Sequence, residues 1–221
     1  MNHFAIALII SLITGYLCGN FLSGFLLGKR AHVDLRKEGS GNIGTTNALR
    51  ILGPKIALVT LILDVIKALI AVGLVHLIFG RNPAYAGDLV HVLALVAAFG
   101  AVLGHDYPLY MGFQGGKGAA TSVGLIIACF PTTLPLIAIV FFALVIKTRY
   151  VSLGSIVAAF TFFIQVLLLG ASGHLLFYQK HLAWAYLISG LVLIFILIRH
   201  RSNIKRLMAG EENTISLHKK E

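Results

Sequence analysis

Acidic side chains are scarce in this chain: eight Asp and Glu stand against eighteen Lys and Arg in 221 residues, a formal net charge of +10. Only 12% of the residues are charged, whereas a soluble domain is about a quarter charged. An acidic metal cluster is not on offer, because Asp34, Glu38 and Asp106 lie scattered among the polar segments. Cysteine is almost missing as well. Cys18 and Cys129 both sit inside apolar runs without CxxC or metal-ligand spacing, which excludes a disulfide framework and leaves two small buried side chains. No basic stripe with interleaved stacking aromatics accompanies the positive charge, so the chain carries no nucleic-acid interface. The N-terminus lacks a basic n-region and a cleavage site, and the first apolar run is expected to be a retained helix.

What is present is apolar sequence: 58% hydrophobic residues and a mean hydropathy of +0.90. The expected fold is all-α, a polytopic membrane helix bundle of about seven transmembrane helices in a single domain over residues 1–221. No independent soluble domain fits in the remainder. A spanning helix needs roughly 20 apolar residues, and seven segments qualify, at about 4–27, 55–79, 88–104, 118–130, 131–147, 151–170 and 180–199. The fourth is short and ends at Pro131. It is either a short or half-membrane helix, or one arm of a bent hairpin with the fifth. With the N-terminus outside, fifteen of the eighteen Lys and Arg fall on the inner side. Arg81 and Lys180 fall outside, and Lys67 lies within a helix. This asymmetry follows the positive-inside rule and puts the C-terminus in the cytoplasm. Most cations then sit at helix ends, facing anionic lipid headgroups or substrates of the bilayer surface. Residues 213–221 are polar and expected to be disordered.

Three polar segments fall on that inner face. The first is Gly39-Ser40-Gly41-Asn42-Ile43-Gly44-Thr45-Thr46-Asn47, followed by Arg50. Glycines let backbone N–H groups converge on one point, and such nests bind anions. Ser40, Asn42, Thr45 and Thr46 add side-chain hydrogen bonds, and Arg50 adds a planar fork suited to phosphate. The second runs from Gly104-His105-Asp106 to Gly115-Gly116-Lys117-Gly118 and Thr121. It is not a nucleotide P-loop: Met111 stands where the first glycine is needed and Gly118 where Ser or Thr is needed. Glycine N–H groups and a lysine at a helix start still suit an anion. The third is His200-Arg201-Ser202-Asn203-Ile204-Lys205-Arg206, then Gly210 and Glu212. On a helix, His200 and Asn203 share a face, and Arg206 follows three residues on. Arg199, Arg201 and Lys205 suit a headgroup anchor. Asp64 and Lys67, also three apart, lie inside the second span, where ionisable groups face a cavity or a partner. They either pair with each other or touch a substrate.

Taken together, these segments resemble the bacterial acyl-phosphate:glycerol-3-phosphate acyltransferase family, PlsY. The matching stretches are GSGNIGTTNALR at 39–50, LDVIK at 63–67, GHDYPLYMGFQGGKGAAT at 104–121 and HRSNIKRLMAGEE at 200–212. They occur in the family's order, and the apolar spans between them run the whole length. Thr45 stands where the family commonly has alanine, Gln114 where it has lysine and Ala68 where it has glycine. The resemblance implies seven membrane helices and an active site facing the cytosol of the bacterial inner membrane. It implies transfer of a fatty acyl group from acyl phosphate to the 1-hydroxyl of glycerol 3-phosphate, giving lysophosphatidic acid and inorganic phosphate. It implies no metal or other cofactor. The H-x4-D acyltransferase pair is absent, since no histidine is followed by aspartate five positions later.

On this reading Ser40, Arg50, Lys117, His200 and Asn203 are the catalytic candidates. Gly41, Asn42, Gly44, Thr46, Asn47, His105, Gly115, Gly116, Gly118, Thr121 and Arg206 are the candidates for binding substrate phosphate, with Asp64 and Lys67 in support. Acyl phosphate already has a good leaving group, so direct attack by the glycerol hydroxyl is favoured over an acyl-enzyme on Ser40, which has no sequence-adjacent base. The other functional class left open is a membrane transporter or receptor for a small organophosphate. No internal repeat supports it.

Overall fold

The computed structural model describes residues 3–85, 87–175 and 178–215. Among them every regular element is helical: α1 His3–Gly19, α2 Ser23–Arg30, α3 Thr45–Leu52, α4 Pro54–Phe79, α5 Asp88–Asp106, α6 Ala119–Cys129, α7 Leu134–Thr148, α8 Val151–Ala171, α9 Leu182–Arg199 and α10 Arg201–Ala209. Six stretches are long and apolar enough to cross a membrane: His3–Arg30, Pro54–Phe79, Asp88–Met111, Pro131–Thr148, Val151–Ala171 and Gln179–Arg199. Their outward faces carry Leu and Ile residues such as Leu77, Ile139 and Ile146. The protein is an all-α polytopic membrane bundle.

A shorter apolar helix, α6, lies between the third and fourth of these stretches. Its 11 residues rise only about 16 Å, against a hydrocarbon core of about 30 Å. It starts beside Lys117 and ends at Phe130, whose ring lies 5.1 Å from that of Tyr178 in the α8–α9 connection. Just after the following helix, α7, the Arg149 carbonyl accepts the Ile215 N–H at 3.0 Å. Much of α6 is buried in the protein. A Cβ on Gly124 would overlap the Val65 carbonyl, so α6 lies directly on α4.

The first apolar run is one candidate span, as expected at 4–27, but not one continuous helix. It breaks after Gly19 and restarts at Ser23. The break is held from three sides. Asn20 Oδ1 accepts the Leu109 N–H at 3.0 Å, Tyr110 Oη donates to the Asn20 carbonyl at 2.9 Å, and Lys67 Nζ donates to the Phe21 carbonyl at 3.3 Å. Freed backbone groups at membrane depth must find partners inside the protein.

α1 and α5 are the closest helix pair. Gly15 and Gly19 on α1 face Ala97 and Ala101 on α5, and Gly100 and Gly104 on α5 face Leu12 and Tyr16 on α1. Any Cβ at these four glycines would overlap a carbonyl of the facing helix. Both sets have the four-residue small-residue spacing that lets membrane helices approach backbone to backbone. This packing fixes the C-terminal end of α5, from which the second polar segment begins. The expected disordered tail divides in two. Asn213 and Ile215 are bonded to the body, and residues 216–221 lie outside the described residues.

Candidate active site

The first polar loop is organised by Asn47, which is 1% exposed. Its Nδ2 donates to the carbonyls of Leu35 at 3.1 Å and Glu38 at 3.0 Å, and its Oδ1 accepts the Ser40 N–H at 2.9 Å. Asn47 is thus committed to holding the loop. Asn42 Oδ1 accepts the Gly44 N–H at 2.8 Å. Gly39 and Gly41 have φ of 58° and 70°, and a Cβ at Gly39 would strike Asn47 Oδ1, so the turn that presents Ser40 needs glycine. At the start of α3 the Gly44 carbonyl accepts the N–H groups of Asn47 and Ala48. The N–H groups of Thr45 and Thr46 have no acceptor among the described residues, as the first turn of a helix dictates. The Thr45 hydroxyl is buried without a partner.

The second loop lies on the end of α5. The Gly115 N–H donates to the Asp106 carbonyl at 3.1 Å and the Gly116 N–H to the His105 carbonyl at 2.9 Å. These two N–H groups, which the sequence offered to an anion, therefore face α5. The glycines serve close approach instead. A Cβ on Gly115 would overlap the His105 carbonyl, and one on Gly116 the His105 ring. From α9, Arg199 donates through Nε to the Gly116 carbonyl and through Nη2 to the Gly115 carbonyl, both at 2.8 Å. Lys117 follows at once, and its Nζ donates to Asn203 Oδ1 on α10 at 2.6 Å. Burial pulls the Lys117 ammonium down to about 8, with Glu212 opposing and Arg206, Arg199 and Arg50 adding to the shift.

In the third segment His200 is buried, and its Nδ1 lies 2.9 Å from the Ile196 carbonyl. A carbonyl only accepts, so Nδ1 carries the proton and Nε2 is left as an acceptor. Burial and then the Lys117 charge push His200 down to about 4, so its ring is neutral at ordinary pH. Asn203 bridges Lys117 to Glu212, donating from Nδ2 to Glu212 Oε1 at 2.8 Å. Arg206 Nε pairs with Glu212 Oε2 at 3.1 Å. Arg50 Nη2 donates to the Asn213 carbonyl at 3.1 Å, and burial lowers its guanidinium below the usual arginine range.

These groups meet in one cavity of about 620 Å³. Its polar end is lined by Ser40, Asn42, Gly44, Thr45, Thr46, Asn47, Arg50, Lys117, Gly118, His200 and Asn203. Its apolar end is lined by Ile137, Phe141 and Val145 of α7, Ala158 and Phe162 of α8, and Val192 of α9. The size is that of a small-molecule site. Gly41 is exposed off the cavity, Thr121 is buried beside it, and Arg206 is held outside the lining by Glu212. Among the described residues no group of His, Cys, Asp and Glu could hold a metal ion. No base is bonded to the Ser40 hydroxyl among them either; the loop bonds Ser40 only through its N–H.

Beneath the second loop lies a closed ionic cluster. Lys67 Nζ donates to Asp64 Oδ1 at 2.9 Å and is in contact with His105 Nδ1. Ser23 Oγ donates to Asp64 Oδ1 at 2.7 Å. Asp64 and Lys67 therefore pair with each other, and His105 belongs to this cluster, although Asp64 and His105 also reach the cavity wall. Three residues with a place in the site were not singled out from sequence: Arg199, Glu212 and Asp106. Arg199 looked like an anchor, and Glu212 stood at the end of the third polar segment without a role. The Asp106 carboxyl group is fully buried, makes no hydrogen bond among the described residues, and would lie 3.0 Å from a Cβ on Gly118. Only the clustering of these acids and arginines beside glycines and polar motifs signalled them.

The family model for glycerol-3-phosphate acyltransferase matches residues 9–210. A glycerol-3-phosphate acyltransferase 2 of Lactobacillus johnsonii is 37% identical over 204 residues, 92% of this chain and 85% of that protein. Similar proteins named glycerol-3-phosphate acyltransferase come from Allorhizobium ampelinum, 37% identical over 95% of this chain and 92% of its own, and from Staphylococcus aureus, 38% identical over 94% and 98%. Among solved structures, the crystal structure of PlsY (YgiH), an integral membrane glycerol 3-phosphate acyltransferase, in its glycerol 3-phosphate form superposes with a TM-score of 0.78 at 32% identity, covering 95% of this chain and 96% of that one. Its lysophosphatidic acid form gives 0.76 at 31% identity over 95% of each chain. On the match to its whole motif-bearing length, this chain belongs to the glycerol-3-phosphate acyltransferase family.

Proposed function

We propose that the chain, acting as one membrane domain, transfers a fatty acyl group from acyl phosphate to the 1-hydroxyl of glycerol 3-phosphate at the cytosolic face of the bacterial inner membrane. The observation that carries this reading is the two-ended cavity. Unpaired N–H groups and two cations sit at one end, and apolar walls from α7, α8 and α9 form the other. A phosphorylated head with a fatty tail matches such a site. Arg50, Lys117 and the α3 N–H groups neutralise phosphate, with Ser40, Asn42 and Thr46 adding side-chain donors. Gly115, Gly116 and Asn47 shape the loops that present these groups, and Asn203 holds Lys117 in place.

In the reaction the glycerol 3-phosphate hydroxyl oxygen bonds to the acyl carbonyl carbon. The bond from that carbon to the phosphate oxygen breaks, and inorganic phosphate leaves. The hydroxyl proton passes to a substrate phosphate oxygen or to His200 Nε2, which is oriented as an acceptor. Proximity and charge stabilisation supply the acceleration, because the anhydride is already activated. Direct transfer is preferred to an acyl-Ser40 because the hydroxyl lacks a bonded base. The test supplies radiolabelled glycerol 3-phosphate and palmitoyl phosphate to purified protein, without acyl-CoA. Label in lysophosphatidic acid with stoichiometric phosphate release is expected. Folded protein that binds glycerol 3-phosphate yet yields no labelled lipid would turn the reading toward a transporter or receptor.

A further inference from the structure

We propose that Arg199 is a positioning residue for the acyl transfer, setting the place of Lys117 by gripping the loop in front of it. This rests on the reading above, in which Lys117 binds substrate phosphate. Arg199 is the last residue of α9 and does not line the cavity, so it is not placed to touch a substrate. Its planar fork takes two successive carbonyls, those of Gly115 and Gly116, at equal distances of 2.8 Å. Its Cζ lies 5.0 Å from the centroid of the Tyr107 ring. That ring in turn packs edge-on against Phe195 of α9 at 5.9 Å, and Tyr16 Oη donates to the Tyr107 carbonyl at 2.6 Å.

The geometry explains why a guanidinium is needed. Both N–H groups of the glycine pair are bonded to the end of α5, on the Asp106 and His105 carbonyls. Both carbonyls are bonded to Arg199. All four polar backbone atoms of a two-glycine strap are thus held, and a segment otherwise free to swing is fixed from two sides. Lys117 is the next residue, and its ammonium is met by Asn203. Arg199 and Asn203 lie four positions apart, so a single stretch of chain holds the loop and the head of its lysine. A lysine at 199 would keep the charge, but its compact ammonium does not reproduce a bidentate, stacked fork. Without the fork, two carbonyl oxygens are free to turn toward a phosphate that they would repel.

The experiment compares wild type, Arg199→Lys and Tyr107→Leu in steady-state acyl transfer, varying glycerol 3-phosphate and acyl phosphate separately, with thermal unfolding in detergent alongside. For R199K the KM for glycerol 3-phosphate is expected to rise at least tenfold. The kcat and the KM for acyl phosphate are expected to stay within about threefold. Y107L keeps both hydrogen bonds and removes the ring beneath the guanidinium, so a rise of about threefold is expected. It is read in the same way should R199K not purify folded. An R199K enzyme with the wild-type KM overturns the proposal, as does an evenly spread loss in kcat and both KM values. So does a wild-type KM in Y107L when R199K is unfolded. An inactive wild-type enzyme in the same assay would instead sink the functional reading on which the proposal rests.

Discussion

A buried lysine and a half-buried one are treated oppositely by this fold. Lys67, 3% exposed, reaches three acceptors: the Phe21 carbonyl, Asp64 Oδ1 and His105 Nδ1. An ammonium has three protons, so Lys67 is saturated. Lys117 has one acceptor, Asn203 Oδ1, among the described residues. The neighbouring histidines differ in the same sense. His105 accepts at Nδ1 from Lys67, whereas His200 donates at Nδ1 to Ile196 and keeps Nε2 as an acceptor. The lower cluster balances its charge with Asp64 and closes the break between α1 and α2. The upper one gathers Arg50, Lys117 and Arg206 around Glu212, a surplus of positive charge that suits phosphate. Burial alone does not mark a functional charge in a membrane protein. Unfilled hydrogen-bonding capacity toward a cavity does.

The sharpest way to break this contrast is to remove one partner from each cluster. Asp64→Ala leaves Lys67 buried without its counter-ion, and a loss of about 3–5 kcal/mol is expected. The double change Asp64→Leu with Lys67→Met removes both charges and is expected to be milder than D64A alone. Thermal unfolding in detergent measures both. If D64A unfolds at the wild-type temperature, the closed cluster is not structural.

Lys117→Met is predicted to do the reverse. It should leave the unfolding temperature within a few degrees of wild type and lower kcat/KM about 10²–10³-fold, the scale of losing one charge-stabilising donor. The pH dependence carries the sign. Lys117 is cationic below its pKa of about 8, so affinity for phosphate is intact below that pH and falls as pH rises through it. His200, held near 4, contributes no limb above about pH 5. Lys117→Arg should retain activity past pH 9, since guanidinium does not titrate there. A basic limb unchanged in K117R would assign it to another group.

The bundle was legible because apolar length and charge asymmetry report directly on a bilayer. The break after Gly19 was not, because helix and broken helix share one hydropathy. It depends on Asn20, Leu109 and Lys67, which are distant in sequence. In the site, residue types and spacing revealed which segments converge, but not which polar atoms are already used. Asn47 read as a ligand for phosphate and Asn203 as a catalytic group, yet their side chains bridge protein groups. Arg199 read as an anchor because two carbonyls from residues 115 and 116 have no sequence signature.

The smallest predicted effect tests the contrast at its finest. The Thr45 hydroxyl is buried, lines the polar end of the cavity and has no protein partner, although it sits on the first residue of α3, whose N–H is also unpaired. If unfilled capacity marks function, phosphate takes both groups. The N–H carries most of the interaction, because it is fixed by the helix, whereas the hydroxyl rotates and could find water when the site is empty. Thr45→Ala is therefore expected to raise the KM for glycerol 3-phosphate only about two- to fivefold, the scale of one neutral hydrogen bond, with kcat unchanged. A change above about thirtyfold would promote the hydroxyl to a principal phosphate ligand. No change in KM would mean that the rule drawn from Lys67 and Lys117 holds for charges and does not extend to hydroxyls, which can stay unpaired in a cavity at little cost.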